Sequence, residues 1–104
     1  MKVKYKGGNY AFVWCPGCDE MHMFVVFDEL GNPPKGNIVW TWDRNLESPT
    51  FGPSILVKGG SSDKVCHSFL IDGVWQFLND STHALAGLHV PMVDLPDWLA
   101  SDEY

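Results

Sequence analysis

Two cysteines separated by Pro-Gly place the tightest constraint on the fold of this 104-residue chain. Cys15 and Cys18 end a four-residue turn, called the knuckle below, which directs both sulfur atoms to one point and lets backbone N–H groups donate to them. His22 follows shortly after, and Cys66, the third and last cysteine, lies far along the chain. Thiolate and imidazole are the ligands of structural zinc. We therefore predict that Cys66 returns to the knuckle and that one Zn²⁺ ion joins the two halves.

The cellular compartment follows from the N-terminus and the cysteine count. Residues 1–6 alternate lysine with hydrophobic residues and do not form an apolar signal region. No apolar run approaches the about 18 residues of a membrane span. We expect a cytoplasmic protein with no membrane association. In a reducing compartment, an odd number of cysteines that includes a C-x-x-C favours a metal ion over disulfides.

The charge argues against one class of partner. Seven basic and thirteen acidic residues give a formal net charge of -6. A general nucleic-acid binder needs lysine and arginine to displace counterions from phosphates, so we expect no nucleic-acid partner. The expected partner is a protein or a peptide, and the sequence does not indicate an oligomeric state.

Hydrophobic alternation and turn residues predict a mainly β fold. The predicted strands are 2–6, 10–14, 22–27, 38–42, 54–57, 65–71 and 74–78, and Asp72-Gly73 predicts a hairpin between the last two. Prolines within 43–53 argue against a strand there. A short helix is predicted from Asp80 or Ser81 to Gly87, and a last helical turn over 95–99. The prediction is a single zinc-stabilised domain, 1–104, with one or two short helices and small antiparallel sheets joined by the zinc knuckle.

The predicted metal ligands are Cys15, Cys18, His22 and Cys66. The alternative is that Cys66 is a buried small hydrophobic residue. Neighbours in a strand point to opposite faces, so Cys66 and His67 are not expected to bind the same ion, and either one is the ligand. A structural zinc contributes about 10–16 kcal/mol in small peptides. The total stability of a domain is about 5–15 kcal/mol, so we expect a metal-dependent fold.

Residues for nucleophilic catalysis occur in two stretches, which the predicted hairpin 65–78 brings to the same end. The predicted reactive residues are His67, Ser68, Asp80, Ser81 and His83. Either serine can act as nucleophile, either histidine as base, and Asp80 can orient the base. The alternative is that Asp80 only caps a helix and that His67 packs in the core.

Two further sites are possible from the residue types. A catalytic zinc bound by the three cysteines, with His83 nearby, ranks below a structural ion, because three thiolates make a poor Lewis acid. The aromatic residues Trp40, Trp42 and Phe51 can line a groove for an extended peptide or pack in a β core.

The ordered motifs resemble a small family from phages and bacteria. They are CPGCxxxH over 15–22, PTFxPS over 49–54, CHSF over 66–69, DG over 72–73 and FLxDSTHxLAG over 77–87. The resemblance covers roughly residues 10 to 98. Members of this family were long of unassigned function, and some carry an ammonia monooxygenase label, which no multi-histidine copper motif in this sequence supports.

Some relatives lie in bacterial ubiquitin-like conjugation operons, where they resemble proteases that process the modifier. The resemblance implies the metal ligands and reactive residues named above. It predicts a serine-type peptidase or related hydrolase that acts on a protein. The alternative is a non-enzymatic phage accessory protein that binds a host protein in the host cytoplasm and carries a purely structural zinc.

Overall fold

The N-terminal part of the chain forms a three-stranded antiparallel sheet. The structure is a computed structural model that describes residues 1–35, 38–59 and 64–102. Strands β1 (Lys4–Lys6), β2 (Tyr10–Cys15) and β3 (Glu20–Val25) follow one another in the order β1-β2-β3. The knuckle connects β2 to β3, and Cys15 pairs with Glu20 at that end. The Cys-Pro-Gly-Cys turn thus closes a hairpin.

The second sheet has five antiparallel strands. They are β4 (Thr41–Trp42), β5 (Phe51–Lys58), β6 (Val65–Ile71), β7 (Val74–Phe77) and β8 (His89–Pro91), and they are adjacent in chain order. Asp72 and Gly73 have φ values of 50° and 73° between β6 and β7. Positive φ at both central residues is the requirement of a type I′ hairpin turn, which is why the Asp-Gly signal predicts this hairpin.

Large side chains from both sheets pack into a shared core. The rings of Phe24 in the first sheet and Phe51 in the second have centroids 4.8 Å apart. A parallel bridge between Val26 and Trp40 links the sheets at the edge. The helical turn α1 (Asp97–Ala100) begins after Pro96 and buries Leu99 against Phe12. Apolar burial of this kind is the dominant favourable term in folding.

The predicted β class and its small antiparallel sheets are confirmed, and the sheets are two in number within the described residues. The main difference is β5, which begins at Phe51 and includes Pro53. The register between β5 and β6 shifts between Phe51 and Ile55, so residues 52–54 lie outside the ladder. Proline is tolerated there because no ladder hydrogen bond needs its missing N–H. Strand β8 has no counterpart among the predicted strands.

The helix predicted from Asp80 or Ser81 to Gly87 is wrong. This segment forms turns: Thr82 N–H donates to the Val65 carbonyl of β6 at 2.8 Å, and within the segment only a turn bond from Ala86 N–H to the His83 carbonyl at 3.2 Å is recorded among the described residues. The final helical turn is confirmed as α1. Polar residues that favour helix starts also favour turns, so tertiary hydrogen bonds decided between the two.

The predicted loops over 30–37 and 59–63 each include residues outside the described ranges. Across the ranges that are described, the helical structure falls far short of the apolar length that a bilayer crossing requires.

Candidate active site and metal centre

Three cysteines and one histidine converge where the two sheets meet. Ligand atoms of Cys15, Cys18, Cys66 and His83 all lie within 4.8 Å of one another. The sulfur atoms of Cys15 and Cys66 are 3.8 Å apart. The prediction that Cys66 returns to the knuckle is therefore confirmed. We call these four residues the Cys3His cluster.

Both sheets contribute to the Cys3His cluster. Cys15 ends β2. The backbone N–H of Cys18 donates to the sulfur atom of Cys15, with 3.4 Å between nitrogen and sulfur, as expected for a knuckle that can receive a metal ion. Cys66 lies on the buried face of β6, and His83 follows β7. A cavity of about 240 Å³ opens beside the cluster. The cluster therefore joins parts of the chain that are remote in sequence.

Gly17 makes room for the His83 ring. A Cβ atom at Gly17 would lie 2.6 Å from Nδ1 of His83, and closer still to Cε1 and Nε2. Real Cβ atoms essentially never show such contacts. The ring also packs edge-on against Phe77, with centroids 4.6 Å apart. The second inner residue of the knuckle is thus fixed as glycine by a tertiary contact.

The ring nitrogens of His83 suit a ligand. Nε2 is buried and has no hydrogen-bond partner within the described residues, which is costly unless another group binds it. Nδ1 lies 3.2 Å from the backbone nitrogen of Leu85. The backbone N–H of Leu85 donates to Nδ1. A metal ion held by Nε2 would require the ring proton on Nδ1, and this hydrogen bond would then be lost.

Burial and mutual hydrogen bonding separate the pKa values of the three thiols. The pKa of Cys15 is lowered to about 4, chiefly by the hydrogen bond with the Cys66 thiol. The pKa of Cys18 is raised to about 12, first by burial and then by the charge on Cys15. The pKa of Cys66 is also raised, first through its hydrogen bond with Cys15. A divalent cation would favour three thiolates, because a coordinating thiol is deprotonated.

His22, the predicted fourth ligand, does not belong to this cluster. It is buried in β3, and its ring packs edge-on against Trp75 with centroids 6.2 Å apart. It lies close enough to Cys15 to lower the pKa of that thiol through hydrogen bonding. The structure brings His83 to the cysteines instead, because the chain after β7 turns back onto the knuckle. The sequence predicts His83 as a reactive residue, and only the lower-ranked alternative of a catalytic zinc places it near the three cysteines, where it lies.

A second cluster lies on the opposite face of β6. Nδ1 of His67 is 2.9 Å from Oδ2 of Asp80, and its Nε2 is 3.3 Å from Oγ of Ser54. A hydroxyl, an imidazole and a carboxylate in this order form the arrangement of a Ser-His-Asp triad. We call these three residues the Ser-His-Asp cluster. The hydroxyl-to-imidazole distance is slightly long, as is common in sites without substrate.

The register of the second sheet positions this cluster. Leu56 pairs with His67, and Ser54 lies two residues earlier on the same face of β5. The Ser81 hydroxyl accepts from the His67 N–H at 2.9 Å and donates to its carbonyl at 3.0 Å. The side chains of His67 and Asp80 are 26% and 60% exposed, so both can be reached from solvent.

The two serines predicted as nucleophiles have other positions. Ser68 shares the buried face with Cys66, has zero exposure, and its hydroxyl has no partner in the described residues. Ser81 is also buried and bonds to the backbone of His67. Neither hydroxyl reaches the His67 ring, because both point into the protein. Of the predicted reactive residues, the structure brings only His67 and Asp80 together through their side chains.

Sequence reasoning did not identify Ser54 as a site residue. The available signal was the PTFxPS motif over 49–54, which ends on this serine. The predicted alternation along β6 is confirmed, since Cys66 is buried and His67 lies on the other face. The two clusters therefore include adjacent residues of β6, Cys66 and His67, whose side chains lie on opposite faces of the strand.

One comparison with known proteins gives a match. A family model described as bacterial ubiquitination-like system serine protease (BubE) matches residues 1–78. These residues include Ser54, His67 and the three cysteines, and they end before Asp80 and His83. No match was found among curated proteins or solved structures.

Proposed function

The chain belongs to the family of bacterial ubiquitination-like system serine proteases, BubE, and on that premise we propose that it is a serine peptidase whose nucleophile is Ser54. His67 acts as the general base, and Asp80 orients it. The observation that carries this proposal is the continuous chain of contacts from Ser54 Oγ through the His67 ring to the Asp80 carboxylate.

Each group has the chemistry that acyl transfer requires. The Asp80 carboxylate accepts from Nδ1–H of His67, which leaves the lone pair of Nε2 facing the hydroxyl of Ser54. Ser54 Oγ attacks the scissile carbonyl carbon while Nε2 takes the hydroxyl proton. Nε2–H then gives that proton to the leaving amine, and the peptide C–N bond breaks. Water deprotonated by Nε2 cleaves the acyl-enzyme ester, and the proton returns to Ser54.

The developing oxyanion needs an N–H donor. Ser54 lies in the register shift between Phe51 and Ile55, outside the paired positions of the β5–β6 ladder. A preorganised backbone donor at the nucleophile is the usual source of oxyanion stabilisation. We assign this role to the Ser54 amide.

The metal ion in this proposal is zinc, and its role is structural. Three thiolates and one imidazole in tetrahedral arrangement are a typical structural zinc donor set. The partnerless Nε2 of His83 and the space that Gly17 leaves for its ring support a fourth ligand at this position. Bound there, the ion would fix β6 against the knuckle, and with it the strand that carries His67.

The proposed substrate is a protein of a bacterial ubiquitin-like modification system. The family description supports this class, and the exposure of His67 and Asp80 supports a macromolecular substrate over a small molecule. We propose a cytoplasmic enzyme that processes the modifier or its conjugates and has no nucleic-acid partner.

An alkyl fluorophosphonate probe tests the nucleophile. We expect labelling of the wild-type chain at Ser54 by peptide mass spectrometry, and complete loss of labelling in Ser54→Ala. Ser68→Ala and Ser81→Ala serve as matched controls and should still be labelled. An unlabelled wild-type chain with bound metal and cooperative melting would contradict the proposal and favour the non-enzymatic binding protein.

A further inference from the structure

At every second residue of β6 near the proposed active site, the backbone N–H and C=O groups form hydrogen bonds on the side opposite to β5. The N–H of His67 donates to Ser81 Oγ, and its carbonyl accepts from the N–H of Leu78 at 2.8 Å. Val65 bonds in the same direction, to Thr82. In an antiparallel pair, such residues face partners with which they exchange no hydrogen bonds. Leu56, opposite His67, and Lys58, opposite Val65, are therefore non-hydrogen-bonded positions of the ladder.

This orientation leaves part of the other edge of β5 unpaired. The N–H and C=O groups of Leu56 and Lys58 point away from β6. Strand β4 pairs with β5 only at Phe51 and Gly52. Within 1–35, 38–59 and 64–102, the backbone groups of Leu56 and Lys58 have no hydrogen-bond partner. A strand edge of this kind is a template for pairing with another chain, and proteins usually block it.

The unpaired edge begins beside the proposed nucleophile. Leu56 lies two residues after Ser54 on the same face, a distance of about 6.6 Å along a strand. Nε1–H of Trp40 donates to the carbonyl of Ser54 at 3.3 Å. The edge of β5 is therefore occupied at Ser54, and its unpaired part begins at Leu56. The Leu56 side chain is 51% exposed next to His67. An extended chain paired at Leu56 and Lys58 would therefore reach Ser54 within a few residues.

We propose that the substrate binds as an added β-strand on this edge. An extended polypeptide segment accepts hydrogen bonds from the amides of Leu56 and Lys58 and donates to their carbonyls, while Leu56 contacts an apolar substrate side chain. This mode supplies main-chain affinity and aligns the scissile bond. The inference rests on the proposed function, because it assigns the binding surface of the same site.

The probe is a random heptapeptide library displayed on phage and selected on Ser54→Ala, which binds without cleaving. With the strongest selected peptide, we expect hydrogen exchange at the amides of Leu56 and Lys58 to slow by tenfold or more. Leu56→Pro removes the edge N–H without touching the β6 ladder, and it should raise the Kd by about tenfold or more. Leu56→Ala is the matched control that keeps this amide, and it should raise the Kd less than Leu56→Pro.

The outcomes separate this inference from the proposed function. If the wild type is labelled by fluorophosphonate but no selected peptide protects the two amides, edge pairing is overturned and the peptidase stands. If the amides are protected but the wild type is not labelled, the peptidase is overturned and the edge stands as a peptide-binding surface. Failure to select any binder also overturns edge pairing. The exchange measurement does not depend on the folding of Leu56→Pro.

Discussion

The His83 ring lies directly against the backbone of Gly17, so close that no side chain at that position fits beside it. Spacing along the sequence does not indicate this contact, because the two residues belong to the knuckle and to the turn after β7. The absence of a side chain at Gly17 therefore leaves the space that the ring of His83, the proposed fourth ligand, occupies.

This contact predicts that Gly17→Ala lowers stability. The added methyl group must displace the His83 ring, and overpacking of this kind costs about 1–3 kcal/mol. In a His83→Ala background the same change should cost far less, because the obstacle is gone. Denaturant unfolding of all four chains measures the coupling. An equal cost in both backgrounds would show that the ring is not what excludes a side chain at residue 17.

The identity of the fourth ligand predicts metal content. Native mass spectrometry should find one zinc ion per chain in the wild type and in His22→Gln, and a large loss of zinc in His83→Ala. The reason is that His83 lies within 4.8 Å of the three sulfur ligand atoms, whereas His22 packs on Trp75. Chelation should lower the melting temperature of the wild type, because metal binding contributes to folding. Zinc retained in His83→Ala and lost in His22→Gln would reverse the assignment.

The contact between Asp80 and His67 predicts the effect of removing the carboxylate. Asp80→Asn should reduce peptidase activity by several orders of magnitude, on the order of 10⁴ in the chymotrypsin-type example, because the imidazole takes the wrong tautomer. Stability should change by no more than about 0.5 kcal/mol, since the side chain is 60% exposed. Asp72→Asn, at the far end of the same hairpin, is the control and should retain activity. Equal activities of Asp80→Asn and the wild type would remove Asp80 from the mechanism.

The two buried serines should respond in opposite ways to alanine. Ser68→Ala removes a buried hydroxyl that has no partner in the described residues, so stability should stay the same or rise. Ser81→Ala leaves the N–H of His67 without its partner, whereas the His67 carbonyl keeps the N–H of Leu78, and the change should cost about 1–3 kcal/mol. Urea unfolding curves with unchanged slopes measure both effects. A large loss of stability in Ser68→Ala would imply a partner for its hydroxyl.

Local rules were sufficient for most of the β fold. Alternation in residues 10–14 and 65–71, and the left-handed preference of Asp72-Gly73, depend on neighbours in sequence, and these elements lie where predicted. The same rules failed at residues 80–87, where the backbone bonds to β6. They also failed at Pro53, which lies within β5 although proline argues against a strand. The register shift between Phe51 and Ile55 leaves this position without a ladder hydrogen bond, so the N–H that proline lacks is not required.

The sequence by itself determined that two thiols meet in the knuckle and that β6 divides into a cysteine face and a histidine face. A Cys-x-x-Cys turn and a two-residue strand period are local properties, and they hold whatever the rest of the chain does. Only the tertiary structure decided that His83 replaces His22 at the thiols and that Ser54 meets His67. Both depend on strand register across long separations, and a slip of one residue would turn each side chain to the opposite face.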